Sequence, residues 1–187
     1  MVDIACKAIV QAYDFARFER IVDVGGGYGL FIAELLRAAA NTRGVIFDLP
    51  YVAVGARERI SAAGIADRCD VVSGDFFSDA LPPGADAYIL KNMVESFDME
   101  RTTKLLQRCR QAMSPQGKLL VIGWIMRRGK DFSFGDLLDP HFLVALGGRV
   151  RTEDEYGTLF KSTGFRISRI ISTGSPMAES ILECEPE

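Results

Sequence analysis

The stretch Asp23-Val24-Gly25-Gly26-Gly27-Tyr28-Gly29 constrains the fold more than any other. It closes a short apolar run, "RIVDV" (20–24), and opens "LFIAELLRAAA" (30–40), whose apolar residues recur at helical spacing. A strand that runs into clustered glycines and then a helix is the first half of a βαβ unit. Glycines there let the chain turn tightly and let a ligand approach the backbone. The dinucleotide fingerprint Gly-x-Gly-x-x-Gly does not fit, because counting from Gly25 and Gly27 its last glycine falls on Leu30. The stretch fits (Asp/Glu)-x-Gly-x-Gly-x-Gly instead.

The same alternation continues down the chain. Strands are predicted at "GVIFD" (44–48), "CDVVSGD" (69–75), "DAYILK" (86–91) and "KLLVIGWI" (118–125). Helices are predicted between them. "VAVGARERISAAG" (52–64) is stopped by Gly64, and "DMERTTKLLQRCRQAM" (98–113) takes Asp98 as its N-cap. "TEDEYGTLFKSTG" (152–164) begins with Thr152 and Glu155 at capping-box spacing. "FRISRIIST" (165–173) and "ESILECE" (179–185) stand too close for a helical crossover and should pair antiparallel. The expected fold is α/β: a Rossmann-like sheet, mostly parallel with an antiparallel last strand and helices on both faces. The 187 residues suit one such domain at 20–187, preceded by an N-terminal helix at 1–19.

Composition excludes several function classes. Net charge is −3 and the basic residues are scattered, so no nucleic-acid footprint appears. The densest basic run, Arg127-Arg128-Gly129-Lys130, reads as a solvated loop. No apolar run approaches the ~20 residues that cross a bilayer, and the N-terminus lacks the charged start of a secretion signal. Cys6, Cys69, Cys109 and Cys184 show no metal-ligand spacing, so no metal site is expected. Reduced thiols in a cytoplasmic protein are the expectation.

Ligands on such a sheet lie at the carboxyl ends of the strands. Asp48 ends the second strand, where a carboxylate can accept both hydroxyls of a ribose. Asp75-Phe76 ends the third, offering an acceptor for an adenine amino group and a ring face. Each has a plainer alternative: a simple turn at Gly25–Gly29, a helix cap at Asp48, a loop carboxylate at Asp75.

"VDVGGGYG", "FDLP", "GDFF", "AYILKNMVESFD" and "LGGRVRTEDEY" together resemble the catalytic domain of plant and bacterial small-molecule O-methyltransferases. This is the class I, S-adenosylmethionine-dependent family of caffeate, acetylserotonin and antibiotic-tailoring type. The resemblance spans roughly residues 18–185. It implies S-adenosylmethionine or S-adenosylhomocysteine as cofactor, with Gly25, Gly27, Asp48, Leu49, Asp75, Phe76 and Lys91 contacting it. It implies a small aromatic or polyketide-like substrate. It also implies an N-terminal helical dimerisation domain, to which residues 1–19 would be the remnant of a linker; a homodimer or a partner chain would supply what that domain provides.

The chain departs from the family at the catalytic positions. The family's general base is a His four residues after the Lys of the "LK" motif, and here that position is Glu95. The two acids that orient the His fall at Gly123 and Val150, and the Asp after the His is Ser96, while the aromatic is kept as Phe97. Losing all three together is coherent, since the acids serve the imidazole. Glu95 is one candidate catalytic residue, if burial raises it from an ordinary carboxylate, and its alternative is a structural role. His141, the single histidine, lies in "DLLDPHFLVAL" and is the other; a structural His is the alternative. Trp124 is expected to fill volume vacated around Gly123. A third route needs no base, because orientation alone supplies much of a displacement's rate. Two rival readings stay open: a non-methylating enzyme of this fold that uses the cofactor electrostatically, and a non-catalytic cofactor-binding subunit.

Overall fold

The computed structural model describes residues 2–126 and 134–187. The basic run at 127–130 lies outside the described residues. Seven strands form one sheet: β1 (Arg20–Val24), β2 (Arg43–Asp48), β3 (Cys69–Ser73), β4 (Ala87–Lys91), β5 (Lys118–Gly123), β8 (Phe165–Ser172) and β9 (Ser180–Pro186). A two-stranded ribbon, β6 (Ile125–Met126) with β7 (Arg151–Thr152), stands beside it. The sheet order is β3-β2-β1-β4-β5-β9-β8. Every pair from β3 to β5 is parallel, and β9 is antiparallel to both neighbours. This is the expected fold class.

Strand residues alternate between two apolar faces, as a sheet covered on both sides requires. Ile21, Ile46, Ile89 and Ile122 pack with α1 (Val2–Ala12) and α2 (Leu30–Ala38), and α3 (Pro50–Ala62) closes the same side. Val22, Val45, Leu90 and Val121 pack with α4 (Met99–Ala112) and α6 (Glu153–Ser162) on the other. The predicted caps form. Asp98 accepts from Arg101 N at 2.8 Å, and Thr152 with Glu155 makes a full capping box. Arg68 satisfies the carbonyls that end α2, donating to Leu36, Ala39 and Ala40 at 2.9–3.1 Å.

Three features depart from the sequence reading. The strand expected at 118–125 ends at Gly123, and its continuation pairs with β7 instead. Residues 94–96 form a short 3-10 turn, and Phe134–Leu146 form α5, with Pro140 inside it. The region 1–19 holds α1 and a 3-10 turn, Phe15–Arg17, tied to the sheet by Tyr13 and Arg17 bonding Glu183.

Candidate functional site

The strand order reverses between β1 and β4, which opens a crevice at their carboxyl ends. The Gly25–Gly29 loop rims it. Gly25, Gly27 and Gly29 have φ of 70°, 58° and 79°, left-handed values that side chains disfavour. The loop is fixed from β2: Gly25 N donates to Phe47 O at 2.8 Å, and Gly27 N to Asp48 Oδ2 at 2.8 Å. Asp48 Oδ1 accepts from Leu49 N at 2.7 Å. Each carboxylate oxygen keeps a lone pair for a second donor. Asp48 is therefore not the cap of α3, whose N-cap is Leu49.

A cavity of about 260 Å³ lies against this loop, lined by Cys6, Asp23, Gly25–Gly27, Tyr28, Arg59 and Lys91 among others. Asp23 is the informative member. It is buried, and its Oδ2 has no hydrogen-bond partner among the described residues. Burial pushes its pKa up to about 7, against the pull of Lys91 and with help from the Asp48 charge. An orphaned buried carboxylate beside a cavity is an acceptor awaiting a donor or a cation. The crevice therefore fits S-adenosylmethionine, whose ammonium and sulfonium need carboxylates and carbonyls. A larger groove of about 570 Å³ runs outward between α2 and α3, and it shares Tyr28, Leu30 and Arg59 with the cavity.

Asp75 and Phe76, expected from the sequence on the adenine side, are placed differently. Asp75 spends Oδ1 on Phe77 N at 2.8 Å, so half its carboxylate holds the turn. Phe76 is 9% exposed and packs edge-on against Phe77, with Phe97 5.9 Å away. Lys91 ends β4, half-buried at the cavity wall. Met93 closes over Gly25, where an added Cβ would lie 2.6 Å from its sulfur. Sequence reasoning quoted Asp23 as part of the loop motif without giving it a role. Nor do Cys6, Arg59 and Met93 carry a sequence signal for this place, since Cys6 and Arg59 come from helix faces with no local motif.

The second cluster holds the positions at which the sequence departs from the pattern it resembles. Glu95, on the 3-10 turn, is 0% exposed. Its Oε1 accepts from Trp124 N at 2.9 Å, and the Tyr156 hydroxyl lies 3.3 Å from it. Burial raises the Glu95 pKa, partly offset by these donors and by the buried Arg151 guanidinium. Arg151 donates to Val94 O at 3.0 Å. Gly123 makes room for this carboxylate: an added Cβ would sit 2.7 Å from Glu95 Cδ and closer still to Oε1. The volume at Gly123 is thus filled by Glu95, not by Trp124. Trp124 turns away to pack with Phe142 and Val150, and its Nε1 donates to Met177 O at 2.7 Å. His141 is exposed on α5, its ring 6.0 Å from Phe142. Its neighbour Asp139 accepts from Val150 N at 2.7 Å. The structure does not bring Glu95 and His141 together.

Comparison with known proteins places this geometry. The O-methyltransferase domain family matches residues 1–166. A phenazine O-methyltransferase from Lysobacter antibioticus is 42% identical over 179 residues, 96% of this chain and 52% of that protein. An aclacinomycin 10-hydroxylase from Streptomyces purpurascens is 38% identical over 97% of this chain and 50% of its own length. Among solved structures, an O-methyltransferase from neocarzinostatin biosynthesis, in complex with S-adenosylmethionine and 2-hydroxy-5-methyl naphthoic acid, superposes with a TM-score of 0.87 at 31% identity. That match covers 96% of this chain and 52% of the other. The chain spans about half the length of the curated relatives it matches.

Proposed function

The chain belongs to the O-methyltransferase domain family, and from that premise we propose that it binds S-adenosylmethionine at the Gly25–Gly29 crevice and methylates a hydroxyl of a small aromatic or polyketide-like molecule. The observation that carries this is the cradle itself: Asp48 pins the loop through Gly27, and Asp23, whose buried Oδ2 has no partner among the described residues, lines the cavity beside it. The cofactor supplies an electrophilic methyl on a sulfonium. The chain's residues bind and orient. Asp48 takes the ribose hydroxyls through its remaining lone pairs. Asp23 neutralises positive charge at the loop, while Asp75 and Phe76 receive the adenine. Holding donor and acceptor in line supplies a large part of the rate by orientation.

Methyl transfer is favoured by relatives named as O-methyltransferases and by a structural neighbour in complex with a naphthoic acid. The reading extends to a cytoplasmic enzyme in which a second copy or a partner chain completes the substrate pocket. Titration calorimetry with S-adenosylmethionine and S-adenosylhomocysteine tests the cofactor assignment: both should bind, and neither binding would overturn it.

A second reading is favoured by one observation. Glu95 is buried where the family's base is expected, and one relative is named a hydroxylase. On that reading substrate is transformed while the cofactor is not consumed. S-adenosylhomocysteine accumulating in step with product excludes it.

A further inference from the structure

The three altered positions are one packing solution. With Glu95 in this rotamer an acidic side chain at 123 has no room, and with a side chain at 123 Glu95 has no place beneath β5. The carboxylate that the family resemblance puts on β5 has in effect moved to the turn before α4. There it receives Trp124 N and lies near the Tyr156 hydroxyl, and its charge opposes the cost of burying Arg151. Val150, 2% exposed, completes an apolar wall with Trp124 and Phe142. Asp139, two residues before His141, is spent on Val150 N. Elements that would position a proton acceptor hold a buried anchor and an apolar wall instead.

The energetics of methyl transfer then bear on the acceptor. A phenol with a pKa near ~10 is ionised to about one part in a thousand at pH 7. A positioned general base recovers typically 10²–10⁴-fold of that loss. An acceptor whose own pKa lies at or below ~7 recovers the same factor with no base at all.

We propose that Glu95 is a positioning residue and that the acceptor of this domain is an acidic hydroxyl, ionised before it meets the methyl donor. The substrate class is that of hydroxyquinones, phenols bearing electron-withdrawing groups and vinylogous acids. Its proton goes to water. A lone pair of the oxyanion forms the O–C bond, the S–C bond breaks with its pair passing to sulfur, and the products are a methyl ether and S-adenosylhomocysteine. This rests on the methyl-transfer reading given above.

The test uses the full-length protein with S-adenosylmethionine and a panel of phenols, naphthols and hydroxyquinones spanning acceptor pKa values of roughly 5 to 10. At fixed pH, kcat/KM should fall by about tenfold for each unit of acceptor pKa above the assay pH, and the pH inflection should follow each acceptor. With S-adenosylhomocysteine bound, the absorbance of a coloured acceptor should show the anion at neutral pH. Glu95→Gln, which keeps the shape and an acceptor for Trp124 N, should leave those inflections in place. One inflection common to all acceptors overturns the proposal; its loss in Glu95→Gln would make Glu95 the base, and its loss in His141→Gln would make it His141. Cofactor binding with no S-adenosylhomocysteine formed from any acceptor overturns the methyl-transfer reading itself.

Discussion

Replacing Gly123 by Ala measures how tightly the second cluster is built. The new Cβ would lie 2.7 Å from Glu95 Cδ and 3.0 Å from Oε2, where ordinary contact begins at 3.4 Å. Neighbours cannot yield freely, because Oε1 is held by Trp124 N at 2.9 Å and lies 3.3 Å from the Tyr156 hydroxyl. Forcing atoms into a packed interior costs about 1–3 kcal/mol. Displacing a buried carboxylate from its donors adds about 1–3 kcal/mol for each group left unsatisfied. The expected loss is therefore about 3–5 kcal/mol, a fall of roughly 10 °C in Tm for a domain of this size. Thermal and urea unfolding of Gly123→Ala, Glu95→Ala and the double variant would measure it. The Glu95→Ala change empties the contested volume, so the double variant should lose at least about 1 kcal/mol less than the two singles added together. Strict additivity, or a Gly123→Ala variant as stable as the parent, would refute the claim that the two positions share one space.

Removing the loop anchor with Asp48→Ala frees Gly27 N and Leu49 N and deletes the proposed ribose acceptor, and should weaken cofactor binding by about 10–100-fold in calorimetry. Asp23 gives a pH signature. Its folded pKa, pushed up by burial to about 7, exceeds the unfolded value, so the folded state binds the extra proton and stability falls as pH rises from about 4 to 7. Asp23→Asn should flatten that fall and be the more stable protein at pH 8, by roughly 3 kcal/mol, in unfolding curves taken across the range. Glu183 has the opposite sign. Burial would raise it, but the Tyr13 hydroxyl, Arg169 and Arg17 together hold it down to about 2. The stability it contributes is present above about pH 4.5 and is lost as pH falls toward 2. Acid unfolding of Glu183→Gln should lack that component, about 2 kcal/mol once the exposure of the Arg partners is allowed for.

The sheet and its order of elements were legible because both signals are local. Glycines after "RIVDV", apolar runs at 44–48 and 118–123, and caps at Asp98 and Thr152 act within a few residues of themselves. The tight turn at Gly25–Gly29 was legible for the same reason. What could not be read was where side chains separated in sequence meet. Glu95, Gly123 and Val150 stood out as altered positions, but nothing in the chain says that Glu95 turns inward to lie under Gly123 and Tyr156, 61 residues distant in sequence. The extent of β5 was missed because Trp124 has a strand's composition while its amide is given to a side-chain carboxylate instead of the ladder. Helix α5 was missed because Pro140 interrupts its pattern, although Asp139 ties it to Val150. Asp23 read as a motif position because burial, not spacing, makes it an unpartnered acceptor.

The most direct test follows the methyl group. The full-length protein is incubated with S-adenosylmethionine carrying a labelled methyl and an acidic hydroxyl acceptor, and product and cofactor are quantified together. The account predicts one labelled methyl ether for each S-adenosylhomocysteine formed, with Asp48→Ala reducing both equally. A transformed acceptor that carries no label, with S-adenosylmethionine left intact, would contradict it.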